Sequence, residues 1–142
     1  MKKQFCFILM SILLLSVFLS PVAFAATKSN LYVDRASSGI SITSDGYVRV
    51  DFGTWGTGTM TTVGAEKIEL YKDGGLVKVF YSSNASYTSS MLGYGVSHFY
   101  GYVTFQAAAG SSYHAVVKHY AANSSGSGTE TTTTPYITYT GP

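Results

Sequence analysis

Apolar and polar positions alternate along most of this chain, the period of a half-buried strand, and no segment after residue 26 carries a convincing helical period. Ile40 and Ile42 alternate with Ser41 and Thr43, and Ser44-Asp45-Gly46 supplies a turn. Val48, Val50 and Phe52 then point one way while Tyr47, Arg49 and Asp51 point the other, as in an antiparallel strand with one wet face. Residues 53–64, rich in glycine and threonine, read as a flexible inter-strand loop that carries Trp55. Strands follow at 67–71 and 76–81, joined by Lys72-Asp73-Gly74-Gly75, because Asp-Gly between alternating runs is a strong hairpin signal. Residues 82–97 read as a long connection with room for one short strand. Further strands are expected at 99–105, 113–121 and 129–134, with turns at 107–112 and 123–128 and a loose tail over 136–142. The threonines of the last strand are β-branched and suit a pleat, and Pro135 limits that strand to an edge or an end.

The first residues break this pattern. Lys2 and Lys3 precede an apolar run over residues 5–18, Pro21 interrupts it, and Ala23-Phe24-Ala25 offers small residues at the positions a signal peptidase needs. Residues 1–25 therefore read as a signal peptide cleaved between Ala25 and Ala26, with 26–142 as a single secreted domain. The run is short for a membrane anchor, so no membrane association is expected after cleavage. Cys6, the single cysteine, would leave with the leader, so neither a lipid anchor, a disulfide nor thiolate chemistry is expected in the exported part. An exported chain without disulfide staples fits a bacterial producer.

About seven short strands in one domain-sized chain predict an all-β antiparallel sandwich, since one sheet would leave an apolar face in water. The segment from Ser112 to Gly126 (SYHAVVKHYAANSSG) resembles the last hairpin of fibronectin type III and other immunoglobulin-like domains. That resemblance implies a structural role for Tyr113, whose hydroxyl would close a corner of the sandwich, and a turn role for Asn123. Three departures stand out: the spacing from Tyr113 to Asn123 is longer than the usual pattern, His119 occupies a position where an apolar residue is expected, and Trp55 lies outside a strand in this reading. As a whole the chain is similar to short secreted proteins of Gram-positive bacteria with no assigned function, through its GTGTM, Ile-x-Leu-Tyr and Tyr-x-Ala-Val-Val runs. The resemblance implies secretion and a sandwich, and it transfers no catalytic residues.

Charge and chemistry narrow the function classes. Of nine basic residues, Lys2 and Lys3 belong to the leader, so the exported part balances seven basic against seven acidic residues. With no basic block, nucleic acid is not an expected partner. His114 and His119 are an odd number apart and fall on opposite strand faces, so they cannot share an ion, and no metal or other cofactor is expected. The acids are scattered. Asp51 and Glu69 could be cross-strand neighbours as a glycosidase pair requires, but each is more simply a surface charge facing Arg49 or Lys67. No serine sits in a nucleophile elbow, and the glycines of residues 53–58 lack a phosphate-loop lysine. Asn84-Ala85-Ser86 and Asn123-Ser124-Ser125 match the glycosylation pattern, which carries no meaning in a bacterial product. Twelve tyrosines and Trp55 remain. Aromatic rings with a polar tip stack on sugars or anchor proteins, and Trp55, Tyr87, Tyr94, Tyr100 and Tyr102 are the candidate binding residues. The expectation is a secreted, non-catalytic binding or surface-structural module whose partner is cell-wall polysaccharide or an extracellular protein. A small extracellular hydrolase or enzyme inhibitor is the alternative.

Overall fold

A computed structural model describes residues 30–141, so the expected leader and its junction at Ala25 and Ala26 lie outside the described residues. The elements in chain order are β1 (Val33–Ile42), β2 (Tyr47–Lys72), β3 (Gly75–Tyr81), α1 (Ala85–Met91), β4 (Leu92–Gln106), β5 (Ser112–Asn123), β6 (Gly126–Thr133) and β7 (Ile137–Thr138). The fold is all-β and its pairings are antiparallel.

Local chemistry sets the register. In the β2–β3 hairpin Lys72 pairs with Gly75, and the two intervening residues, Asp73 and Gly74, both have positive φ (49° and 83°), as a type I′ turn requires. The Asp73 carboxylate accepts the Ser112 backbone N–H at 2.9 Å, which ties this turn to the start of β5 and holds the carboxyl below its ordinary range. At the β1–β2 turn, Gly46 takes φ 80° and donates its N–H to the Thr43 carbonyl.

β2 organises the molecule. Its first half lies between β1 and β4, and its second half lies between β5 on one side and β4 followed by β3 on the other. At 26 residues it is long enough to serve both halves of the fold. Register irregularities after Trp55 and after Ala65 mark where the ladder breaks and the strand can bend. The seven strands thus form one continuous sheet, curled into a half-barrel. The case for two sheets was that a single one leaves its apolar face wet, and curling removes that objection because the concave face covers itself. Val48, Val50, Phe52 and Val103 from the first half meet Ile68, Leu70, Ala115 and Val117 from the second, and all are buried.

Three further differences from the sequence reading have physical causes. Residues 53–64 are strand, not loop, and Trp55 is mid-strand. Their glycines are places of close approach: at Gly53 a Cβ would meet Trp55 and Tyr100, at Gly56 the Met60 side chain, and at Gly64 the Met91 carbonyl. Residues 82–97 hold a helix as well as the start of β4. Asn84 caps that helix by accepting the Ser86 N–H, and Met91, at its end, plugs the core. The tail is not loose, since β7 pairs with Ser112 and Tyr113, and the Tyr139 backbone bonds to Gly110 and Ser111.

The half-barrel is closed by side chains. The Asn30 amide donates to the Thr129 carbonyl and the Tyr32 hydroxyl to the Ser125 carbonyl, joining the start of β1 to β6 and its turn. Gly126 and Gly128 leave the room: a Cβ at either would strike Tyr32 or Asn30. Further along the seam a hydroxyl contact joins Ser38 to Thr132 at 2.7 Å, so side chains bridge β1 and β6, which have no backbone ladder between them.

Candidate functional site

The register of β1, β2 and β4 builds one outer face from the first half of the sheet. Arg35 lies opposite Trp55 and Trp55 opposite His98; Ser37, Gly53 and Tyr100 form the next row, then Gly39, Asp51 and Tyr102, then Ser41, Arg49 and Thr104. These positions point away from the core because their neighbours Val48, Val50, Phe52 and Val103 point into it. The Trp55 and Tyr100 rings meet edge to face with centroids 5.1 Å apart, and His98 meets Tyr100 at 5.7 Å. The Arg35 guanidinium sits 3.8 Å from the centre of the Trp55 ring, and that of Arg49 3.9 Å from the centre of Tyr102.

Gly39 and Gly53 lower the floor between these rings. A depression of about 400 Å³ results, with Ser37, Asp51, Tyr100 and Tyr102 among its walls. That size falls within the range of about 300–1,000 Å³ typical of small-ligand clefts. Tyr100 and Tyr102 are 62% and 47% exposed, so their rings are available to a ligand. Inside the depression, Arg49 Nε and Nη2 both reach Asp51 Oδ1, at 2.9 and 2.8 Å. No hydrogen bond between described residues uses Asp51 Oδ2, which can accept a ligand hydroxyl proton.

Of the five candidate binding residues, the fold brings Trp55, Tyr100 and Tyr102 together. Tyr87 lies in α1 and packs edge to face on Phe80, as part of the core wall. Tyr94 is exposed on β4 opposite Thr62, beyond the ladder irregularity and outside the depression. Tyr113 is fully buried, and its hydroxyl accepts the Ala108 N–H at 2.8 Å, the geometry of a corner. Asn123 Oδ1 accepts the Ser125 N–H within the β5–β6 turn. Asp51 and Glu69 are not cross-strand neighbours; they lie far apart on the same strand, and each faces the base expected of it. Arg35, Ser37 and Gly39 escaped the sequence reading because it began β1 at Ile40. The signal that could have found them is the alternation Arg35-x-Ser37-x-Gly39-x-Ser41, continuous with Ile40 and Ile42 in the same strand.

The outer face of the second half is built differently. Lys67 donates to Glu69 at 2.7 Å, which raises the ammonium pKa and lowers that of the carboxyl, and Lys118 pairs with Glu66 at 2.9 Å. The Tyr71 hydroxyl donates to Glu69, and its pKa is raised by burial first and by that carboxylate second. His114 is sandwiched between the Tyr71 and Tyr136 rings, with centroids 4.8 and 4.4 Å away.

His119 lies on the opposite face from His114, fully buried against the edge of Phe52. The Gly64 carbonyl accepts the Thr54 hydroxyl proton at 2.9 Å, so the 2.7 Å contact between Thr54 Oγ1 and His119 Nδ1 requires the ring proton on Nδ1. Nε2 lies 2.8 Å from Thr132 Oγ1. Burial lowers the pKa of this imidazole to about 4, which keeps it neutral at ordinary pH. It ties the two halves of β2 to β6 and is remote from the outer face.

Among the described residues no group of three or more His, Cys, Asp or Glu side chains could hold a metal ion. Nor, among those described residues, is any helix long and apolar enough to cross a membrane. No family model, no curated protein and no solved structure matches this chain.

Proposed function

We propose that the protein is an exported, non-catalytic sugar-binding module that holds cell-wall or other extracellular polysaccharide against the outer face of β1, β2 and β4. The observation that carries this reading is the pairing of Tyr100 and Tyr102 on a glycine-floored depression that also holds Ser37, Arg49 and Asp51, with Trp55 set edge to face against Tyr100 beside it. Ring faces cover the apolar C–H surface of a sugar, while the carboxylate, guanidinium and hydroxyl satisfy its hydroxyl groups. A binding site of this kind needs no polarised nucleophile. Within the same proposal, residues 1–25 are a signal peptide and the domain is a relative of the immunoglobulin-like sandwiches. The Tyr113 corner and the Asn123 turn support that kinship, and the single curled sheet would be its departure from the two-layered form.

Co-sedimentation of the purified protein with insoluble wall polysaccharide tests the function. Binding by the native protein, with loss in the combined variant Trp55→Ala, Tyr100→Ala and Tyr102→Ala, is the expected result; retention by the variant removes the site. Intact-mass measurement on protein recovered from the medium of an expressing bacterium should give a chain starting at Ala26, and a chain still starting at Met1 would exclude cleavage.

A further inference from the structure

We infer that the platform selects polysaccharides bearing carboxylate groups, with Arg35 as the residue that reads the charge; this rests on the sugar-binding reading above. The two arginines of the face are in different states. Arg49 is committed to Asp51. Arg35 takes part in none of the three ion pairs among the described residues and donates no hydrogen bond to another of them. Its partner is the Trp55 ring, and a guanidinium held against a ring keeps the N–H donors at its rim for a second acceptor. Stacking also fixes the side chain before a ligand arrives, which lowers the ordering cost of forming a paired contact to a planar carboxylate.

The charge distribution favours a carboxylated glycan over a phosphate polymer. The face carries two guanidinium groups and one carboxylate, a small positive excess, and the exported part of the chain has no basic run with which to follow closely spaced phosphates. Asp51 would repel a dense anion. It suits a polymer whose charges are separated by neutral hydroxyls, because a carboxylate accepts hydroxyl protons. Arg35 lies opposite Trp55, and Asp51 is four residues from Trp55 along β2, so charge reader and hydroxyl acceptor are about 13 Å apart along the strand. One chain of sugar rings lying along β2 would meet Arg35, then Trp55 and Tyr100, then Asp51 and Tyr102.

The test is calorimetric titration of the purified protein with polygalacturonate and with hyaluronate, each beside a form whose carboxylates have been reduced to primary alcohols. The native protein is expected to bind the acidic forms at least tenfold more tightly than the reduced forms. Arg35→Gln, folded as judged by circular dichroism, should bind both forms as weakly as the native protein binds the reduced one. Equal binding of acidic and reduced forms by the native protein, or an Arg35→Gln variant that keeps the preference, overturns the role of charge and leaves the sugar site standing. Tighter binding of polyphosphate than of either acidic glycan also overturns it. If the native protein binds none of the four glycans, the sugar-binding reading falls with it.

Discussion

The two halves of β2 share one interior and differ on the outside. Inward, Val48, Val50 and Phe52 from the first half and Ala65, Ile68 and Leu70 from the second enter a common core, while Met60 and Val63 near the bend are buried in a smaller cluster with Val33 and Ala121. Outward, the second half is satisfied by itself: Lys67 with Glu69, Glu66 with Lys118, and Tyr71 stacked on His114. The first half leaves a hollow, an uncommitted guanidinium and two exposed tyrosines. One strand can therefore carry a buried face and the proposed binding face at once, because alternation places the two on opposite sides. The Lys67–Lys118 pairing shows how the second half is quieted, since two like charges meet across strands and each finds its own carboxylate.

Four measurements would break or sharpen this comparison. Interior truncation should cost most and should not distinguish the halves. Ile68→Ala in the second half and Phe52→Ala in the first should each lose about 2–5 kcal/mol in urea unfolding. A markedly cheaper Phe52→Ala would mean that the first half is mainly a ligand platform.

Next comes the joint between the halves. The His119 imidazole titrates near 6.5 in the unfolded chain and near 4 in the folded protein, so between those values the unfolded chain binds the extra proton. Stability should fall as pH drops below about 6.5 and level off below about 4, with a total loss of about 3 kcal/mol. That levelling belongs to the imidazole alone: the carboxyls of Glu69 and Asp73, whose pKa values are lowered from their ordinary ones, add their own loss mainly below that window. Urea midpoints measured at pH 7, 5.5 and 4.5 should fall less steeply in His119→Gln than in the native protein.

The outer faces should then separate by function. Trp55→Ala, which removes a half-buried ring packed on Tyr100 and under Arg35, is expected to cost about 1–2 kcal/mol, less than the interior truncations, while reducing glycan retention at least tenfold in affinity electrophoresis. Lys67→Gln, on the quiet half, should alter neither the urea midpoint nor retention beyond the error of either measurement. A loss of retention in Lys67→Gln would extend the binding face across the bend and end the contrast.

Much of the interior was legible from alternation, because a side chain's inward or outward aim depends only on parity within a strand. Val48, Val50 and Phe52 face the core as their spacing implies, and Asp73-Gly74 makes the turn its residues favour. Gly53, Gly56 and Gly64 misled for a physical reason: a glycine that admits a neighbouring ring or carbonyl is indistinguishable, along the sequence, from one that loosens a loop. The three candidate aromatics that converge are all legible in the sequence, but the glycine-rich context puts Trp55 on a loop, and its true neighbours depend on a register between strands distant in the chain. Tyr87 and Tyr94 show the converse, since composition alone cannot tell a ring that packs inward from one that stands apart. His119 occupies an apolar position because the interior there includes the hydroxyls of Thr54 and Thr132.

The closure through Asn30 and Thr129 joins residues 99 positions apart. A contact of that span exacts nearly the whole loop-closure entropy of the domain before it returns anything. Hairpins such as β2–β3 can form early, but the latch must wait until the final third of the polypeptide has found its place. Assembly of this topology therefore belongs to the slow, nonlocal end of single-domain kinetics, in milliseconds to seconds. Until the latch sets, the first and last long strands remain open edges.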